Sequence, residues 1–404
     1  MMNGMLKNIK VVEQGTFITG PCAGMMLADL GADVVKIESP NTGDPYRTYQ
    51  EGLYSPHFQA YNRNKRSIAL NLKEEEDKAV FEKLIAEADV FIQNFRPGAA
   101  ERLGAGYEQL KAINPNLVYC SINGFGPDGP YRDRPSYDSV AQALSGFLGI
   151  VTDRDNPRFL GPALADAITG IYAAYGILGG LVSRGSTGTG ALIEVSMLEA
   201  MTHFAIEPFT ALFTLGQAPK GLDRPRLAQA HILRTKDDKL VALHLSSPEK
   251  FWDQLVEALD AGWMHEDERF NTRLARIDNY EVLGEELTKI TQTKTRDEWV
   301  EIMGGSDVPF APINEVEEVV EDPQVKHMGL IVDVEPDGED AADHAVRPAV
   351  TINRSRATSI RPAPRLNADG DAIRQSLRDG SGWPALQPAA GTTPDGAAQA
   401  RENV

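Results

Sequence analysis

Cysteine is almost absent from this chain: its 404 residues include two, Cys22 and Cys120. They lie far apart, without repeated spacing and with no histidine beside them. That pattern excludes a disulfide framework and a cysteine metal site, and it points to reduced thiols in a cytoplasmic protein. Basic charge is also scarce. Against 58 Asp and Glu stand 40 Lys and Arg, a net charge of −18. This argues against a nucleic-acid partner, which wants a basic face, but leaves room for an anionic ligand at a local basic cluster. No run of 18 apolar residues is free of charge, so no membrane partner is expected. The polar opening "MMNGMLKNIKVVEQG" does not read as a signal peptide. HExxH, paired-cysteine and nucleophile-elbow motifs are all missing, so no metal is expected. The first strand-to-helix turn, "GTFITGPCAG", lacks the three close glycines of a dinucleotide loop.

What is present is an ordinary globular composition, 42% hydrophobic and 24% charged, long enough for two or three domains. "NIKVVEQG" and "GADVVKIESP" read as buried strands on either side of an amphipathic helix, "GPCAGMMLADL", opened by Gly20 and Pro21. "ADVFIQNF" follows the charged helix "EEEDKAVFEKLIAEA", and "NLVYCSINGFG" and "GALIEVSMLEAMTHFA" continue the alternation. Repeated strand–helix units predict an α/β domain with a mostly parallel sheet and helices on both faces. A loop rich in Gly and Pro, "GQAPKGLDRPRLAQA", marks a boundary. Beyond it come a hairpin turning at "KDDK", a helix "SPEKFWDQLVEAL" with a Ser/Pro cap, and a further helix at "RDEWVEIM", which together predict a smaller α+β domain. The expected division is residues 1–220, 221–329, a return segment 330–380 completing the large domain, and a disordered tail 381–404.

Three features are candidates for chemistry. Arg63, Lys65 and Arg66 in "NRNKRSIAL" form a basic patch that is either a solvated loop or a grip on phosphate oxygens. His231 and His244, on strand-like segments, are as well explained by the surface as by catalysis. Asp166 is an acid within the small, apolar run "GPALADAITGIYAAYGILGGL". It reads as a helix N-cap or as a carboxylate placed to attack a carbonyl, and periodicity cannot choose between these.

Ordered stretches from about residue 8 to 200 resemble the class III CoA-transferase (CaiB/BaiF) family, which includes formyl-CoA transferase. They include "GPCAGMMLADLGADVVKIESPNTGDPYR", "NRNKRSIALNL", "DVFIQNFRPGAAERLGAGYEQL", "NPNLVYCSINGFGPDGPYRDRPSYDSVAQALSG" and "ADAITGIYAAYGIL". The resemblance implies a large Rossmann-like domain, a smaller α+β domain and an interlocked homodimer. It also implies CoA transfer between an acyl-CoA and a small carboxylic acid, such as succinate, through a covalent intermediate on Asp166. The CoA thioester is then a substrate, and no cofactor is bound permanently. By the same resemblance Ile18 lines the thioester end, Asn94 and Phe95 flank CoA, Arg102 meets phosphate, and Tyr137 and Asp138 stand near the reacting end.

Ser39 and Pro135 occupy positions where the family places basic phosphate contacts, and Arg132, Arg134 or Arg47 could substitute. Three alternatives stand beside CoA exchange between two acids. They are intramolecular transfer, racemisation or isomerisation of a 2-methylacyl-CoA, and acyl-CoA binding without turnover. The racemase branch carries a histidine before the acid of its own motif, where this chain has Tyr137–Asp138.

Overall fold

The computed structural model describes residues 4–50 and 52–383. Six strands form one sheet: β1 (Lys10–Gln14), β2 (Asp33–Glu38), β3 (Arg66–Ala69), β4 (Val90–Gln93), β5 (Val118–Asn123) and β6 (Ala191–Ser196). They lie in the order β3-β2-β1-β4-β5-β6, and every pair is parallel. The order reverses between β1 and β4. In open parallel sheets such a switch point opens a crevice at the carboxyl ends of the strands.

Side chains alternate across this sheet and build two cores. Val12, Val35, Ile68, Phe91 and Tyr119 point to one face and meet Phe81, Leu84 and Ile85 of the helix Glu75–Glu87, with Ile373 and Leu377 near the chain end. Their neighbours Val11, Val34, Val90, Val118 and Cys120 point to the other. There they meet Ala23 and Leu27 of the helix Thr19–Asp29, and Ala173, Ala174 and Ile177 of the helix Leu164–Thr187. Both faces are thus covered, as parallel strands with near-continuous apolar sequence require. The helix Thr19–Asp29 is buried nearly all round rather than on one stripe. The helix Leu164–Thr187 is long and apolar enough to cross a membrane by length and composition; here its buried residues pack on the sheet.

The described residues group into two compact units, the second formed by 149–158 and 206–327. Its boundary falls ahead of the loop on which the sequence reading placed it. Glu207, in the helix Ile206–Leu215, faces Arg224 of that loop at 3.5 Å. This unit holds an antiparallel sheet, β7 (Ala230–Arg234), β8 (Leu240–His244) and β9 (Phe310–Pro312), packed on helices through Leu233, Leu243, Trp252, Leu287 and Trp299. Its helix Glu249–Ala258 starts at Pro248 and has no side-chain cap, so the expected serine does not serve. His231 is no surface residue. It is buried and stacked on Tyr280 with ring centres 4.4 Å apart, and burial pushes its imidazole down to about 4.

In the first unit, the chain after residue 328 adds β10 (Ile331–Val334), β11 (His344–Val346) and β12 (Ser359–Ile360). Asn64 and Arg361 then exchange hydrogen bonds in both directions. The expected tail begins too early at 381. Trp383 is buried in the first core, and its indole N–H donates to Asp33 at 2.8 Å. The rest of that tail, 384–404, lies outside the described residues.

Candidate active site

The helix Leu164–Thr187 opens on Ala163, whose side chain offers nothing to the unpaired N–H groups of the first turn. The capping carboxylate comes from elsewhere. Asp138 Oδ1 accepts from the N–H groups of Ala165 at 2.7 Å and Asp166 at 3.3 Å, and its Oδ2 accepts from Gln142 at 2.7 Å. Asp166, the third residue of the helix, is therefore not the cap. Its half-buried carboxylate accepts no hydrogen bond among the described residues. Burial pushes its carboxyl up to about 7, and the charge of Asp138 adds to the push.

Gly170 brings this helix against the start of Thr19–Asp29. A Cβ at Gly170 would lie 2.6 Å from Cys22 Cβ and 3.0 Å from the Thr19 carbonyl oxygen. Only glycine permits so close a crossing. One turn earlier, Asp166 consequently lies near the first strand-to-helix turn.

That turn, residues 15–18, is strained and heavily held. Phe17 has φ of 58°, a left-handed conformation costing a non-glycine residue about 1–2 kcal/mol. Asn94 Oδ1 accepts from Thr16 N–H at 2.9 Å, while its Nδ2 donates to Thr16 O and Thr19 Oγ1, both at 2.8 Å. Asp44 Oδ1 accepts from Phe17 N–H at 3.0 Å, and Lys36 Nζ donates to Gly15 O at 2.7 Å. Behind the turn lies a buried ion network. Lys36 meets Glu13 at 2.8 Å and Asp44 at 3.0 Å, Lys65 meets Glu13 at 2.5 Å, and Arg47 grips Glu38 at 2.7 Å. Its three acids and three bases balance. Burial alone would raise the Glu13 carboxyl, but Lys36 and Lys65 outweigh it and hold the group below its ordinary value.

This network overturns the phosphate reading of the basic patch. Lys65 is spent on Glu13, Arg63 on Asp29 at 2.7 Å and Arg66 on Asp33 at 2.6 Å. Arg47, a possible substitute phosphate contact, is buried against Glu38, and Arg134 lies over Tyr131 with its guanidinium carbon 3.8 Å from the ring centre. Arg132 is better placed. Its Nη2 and Arg102 Nη1 lie 3.8 and 3.3 Å from where a Cβ on Gly98 would be. Arg102 is exposed and makes no ion pair among the described residues.

Ile18 is buried with Cys22 and Tyr46, and Phe17, Tyr61 and Ala163 pack on them. The Phe17 ring lies 5.8 Å from Tyr46 and meets the exposed Tyr137 edge-on at 6.0 Å. His57 stands 5.5 Å from Tyr46, so a histidine does border this cluster. Burial, with smaller pushes from Tyr61, Tyr49 and then Asp166, moves the Tyr46 phenol up to about 12, which keeps it a hydrogen-bond donor. Phe17, Tyr46 and Tyr61 were not singled out from the sequence; nothing in their spacing separates them from core aromatics.

At the switch point, Gln14 of β1, Glu38 of β2, residues 70–73 after β3 and Phe95 after β4 line a cavity of about 230 Å³. Ser39 lines it as well, as do Gly15 and Thr16 of the strained turn. Gln14 Oε1 is buried there without a partner among the described residues. Phe95 also borders a second cavity of about 190 Å³, with Arg96, Gly98 and Arg132 on its wall. Asn94, between β4 and Phe95, has its amide committed to the turn. Leu70, Asn71, Leu72 and Lys73 were missed, although their place just past a short strand at the sheet's carboxyl edge was a usable signal.

These features are matched elsewhere. Residues 6–370 match the family described as CoA-transferase family III, and the chain belongs to that family. Succinate–glutarate CoA-transferase of Agrobacterium fabrum is 33% identical over 89% of this chain and 92% of its own. Human succinyl-CoA:glutarate CoA-transferase is 32% identical over 89% and 83%, and acetyl-CoA:oxalate CoA-transferase of Acetobacter aceti 33% over 93% and 96%. Among solved structures, a CaiB/BaiF family protein from Brucella suis superposes with a TM-score of 0.83 at 34% identity, over 92% of this chain and 99% of that one.

Proposed function

We propose that this protein moves CoA between an acyl-CoA and a small carboxylic acid, a dicarboxylate such as succinate on one side, with Asp166 as the nucleophile. The observation that carries the reading is the Asp138–Asp166 arrangement. One carboxylate is used to cap the helix, and the other is left without donors among the described residues, three residues after Ala163 of the aromatic cluster. In the first step an Asp166 oxygen bonds to the thioester carbonyl carbon, the C–S bond breaks, and CoA leaves as thiolate. The product is an acyl–aspartyl anhydride. The thiolate then attacks the Asp166 carbonyl, freeing the first acid and leaving an aspartyl–CoA thioester. The incoming carboxylate attacks the Asp166 carbonyl of that thioester and expels CoA thiolate, giving a second anhydride. The thiolate then attacks the new acyl carbonyl, forming the product acyl-CoA and releasing the Asp166 carboxylate. Holding the acid against the thioester replaces a slow encounter in water by easier intramolecular steps.

The switch-point cavity supports a site for the nucleotide end of CoA, with Lys73 at its wall. Its border with residues 15–16 gives the pantetheine arm a path along the turn toward Asp166. A panel of labelled carboxylates against succinyl-, acetyl- and glutaryl-CoA tests the function; absence of label exchange with all of them rejects it. Arg102 supplies a second test. CoA affinity should fall with salt, because exposed charge contacts are screened. Arg102→Ala should weaken binding about tenfold at low salt and flatten the salt dependence. Calorimetry showing the same affinity and slope in this variant would remove Arg102 from the CoA site.

Attack requires the ionised carboxylate, so the acylation rate should rise with pH through about 7. Asp138→Asn keeps an acceptor for the helix N–H groups but deletes the neighbouring charge, so the rising limb should move to lower pH. A pH–rate profile that stays in place or moves upward would contradict that coupling.

We also infer a cytoplasmic homodimer. The two buried free thiols support the compartment. Exposed Ile171, Tyr175 and Val182 on the long helix support a covering partner subunit.

A further inference from the structure

One buried carboxylate joins two walls of the Asp166 site. Asp44 follows β2 and is 1% exposed. Its Oδ1 accepts from Phe17 N–H at 3.0 Å and from Tyr46 N–H at 2.9 Å. Its Oδ2 lies 3.0 Å from Lys36 Nζ, which in turn holds the Gly15 carbonyl at 2.7 Å. Its own N–H donates to Glu38 at 3.0 Å. The turn carrying Phe17 and Ile18 and the segment carrying Tyr46 therefore share one oxygen atom as their common anchor. Both segments pack in the cluster that includes Ala163, three residues before Asp166.

We propose that Asp44 is a positioning residue for acyl transfer: it sets the separation of the Phe17–Ile18 turn from Tyr46, and so the width of the slot in which Asp166 meets the thioester. The role rests on Asp166 being the nucleophile. Asp44 acts through the turn rather than on a reacting atom. Its Oδ1 is taken by the two backbone N–H groups, and its Oδ2 faces Lys36 as an ion pair, without a hydrogen bond among the described residues. Without an acceptor at its N–H, Phe17 loses the one hydrogen bond to a side chain that this left-handed residue makes among the described residues. Relaxation to ordinary φ swings its ring away from Tyr46 and Tyr137.

The test uses the full chain with succinyl-CoA as donor and glutarate as acceptor, and compares Asp44→Asn and Asp44→Ala with the parent. Asp44→Asn keeps acceptors for both amides but loses the charge facing Lys36, and kcat should fall about tenfold. Asp44→Ala loses the anchor, and about 1 Å of misplacement should lower kcat about a hundredfold. Asp44 also lines the switch-point cavity, so affinity for free CoA, read by calorimetry, should fall as well, but by much less than kcat, because CoA lacks the acyl group that the slot receives. A merely structural role would lower CoA affinity and melting temperature together with kcat. If Asp44→Ala does not fold, Asp44→Asn decides. Asp44→Asn with the parent's kcat overturns the proposal, as does a kcat loss no larger than the loss of CoA affinity. Asp166→Asn separates the two readings. If it transfers CoA normally, the nucleophile assignment falls and this proposal with it. If it is inactive while Asp44→Asn is fully active, only this proposal falls.

Discussion

Asp166→Asn should fold, bind CoA, and turn over slower than the parent by about three orders of magnitude or more, because an amide oxygen is a poor nucleophile toward a thioester. The capping geometry makes this a clean experiment. Asp138, not Asp166, satisfies the helix N-terminus, so the substitution removes no hydrogen bond from the fold. The proton linkage points the same way. Folding raises the Asp166 carboxyl to about 7, so its contribution to stability is complete below the unfolded value and is lost as pH rises through about 7. A group that cannot ionise escapes that loss, and above pH 7 the variant should melt no lower than the parent. Asp166→Glu keeps the charge but displaces it by one methylene, and about a hundredfold loss is expected from misplacement near 1 Å. Hydroxylamine added with acyl-CoA should convert Asp166 to a hydroxamate, visible as a mass change on its peptide. Full activity in a folded Asp166→Asn enzyme would eliminate the mechanism.

Glu13→Gln should cost stability rather than chemistry. The side chain keeps its shape, but Lys65 loses its acid and Lys36 keeps only Asp44. Breaking a buried pair strands an uncompensated charge, typically at about 3–5 kcal/mol. The second unit has its own core, so global unfolding curves would mix two events. Hydrogen exchange of the β1 and β2 amides reads the first unit alone, and protection there should drop by at least two orders of magnitude. Protection equal to the parent's would show that the lysines lose their protons or rearrange without penalty.

Much of the first unit is readable along the chain because its strands are short apolar runs at regular separations. β1, β2, β4, β5 and β6 all fall on such runs. β3 is only four residues long and begins with Arg66, so its apolar signal amounted to a strand-like end. Local pattern finds strands but not their neighbours, and the placement of β1 between β2 and β4 emerges only from the fold. The same limit governs the charges. Arg63, Lys65 and Arg66 look like a solvated patch because their partners, Asp29, Asp33 and Glu13, lie 33 to 52 residues upstream. Asp166 stands out as an acid in an apolar run, yet whether it caps the helix is decided by Asp138, 28 residues away. Asn94 shows the reverse case. The resemblance places it beside CoA, while its amide is fully engaged in holding Thr16 and Thr19.

The buried network has a consequence for the order in which this protein becomes competent. Glu13, Lys36 and Lys65 come from β1, β2 and the approach to β3, three segments that meet only after two crossover connections have closed. Such non-local pairings are paid for in loop entropy before they return any contact, and they form slowly. The Asp138 cap spans 28 residues, a loop of similar size to the 23 between Glu13 and Lys36, and the longest closure is the 52 residues from Glu13 to Lys65. A chain caught before Lys65 reaches Glu13 therefore lacks the completed network behind the 15–18 turn. Under the proposed mechanism, acylation of Asp166 then waits until the first three strands are in register.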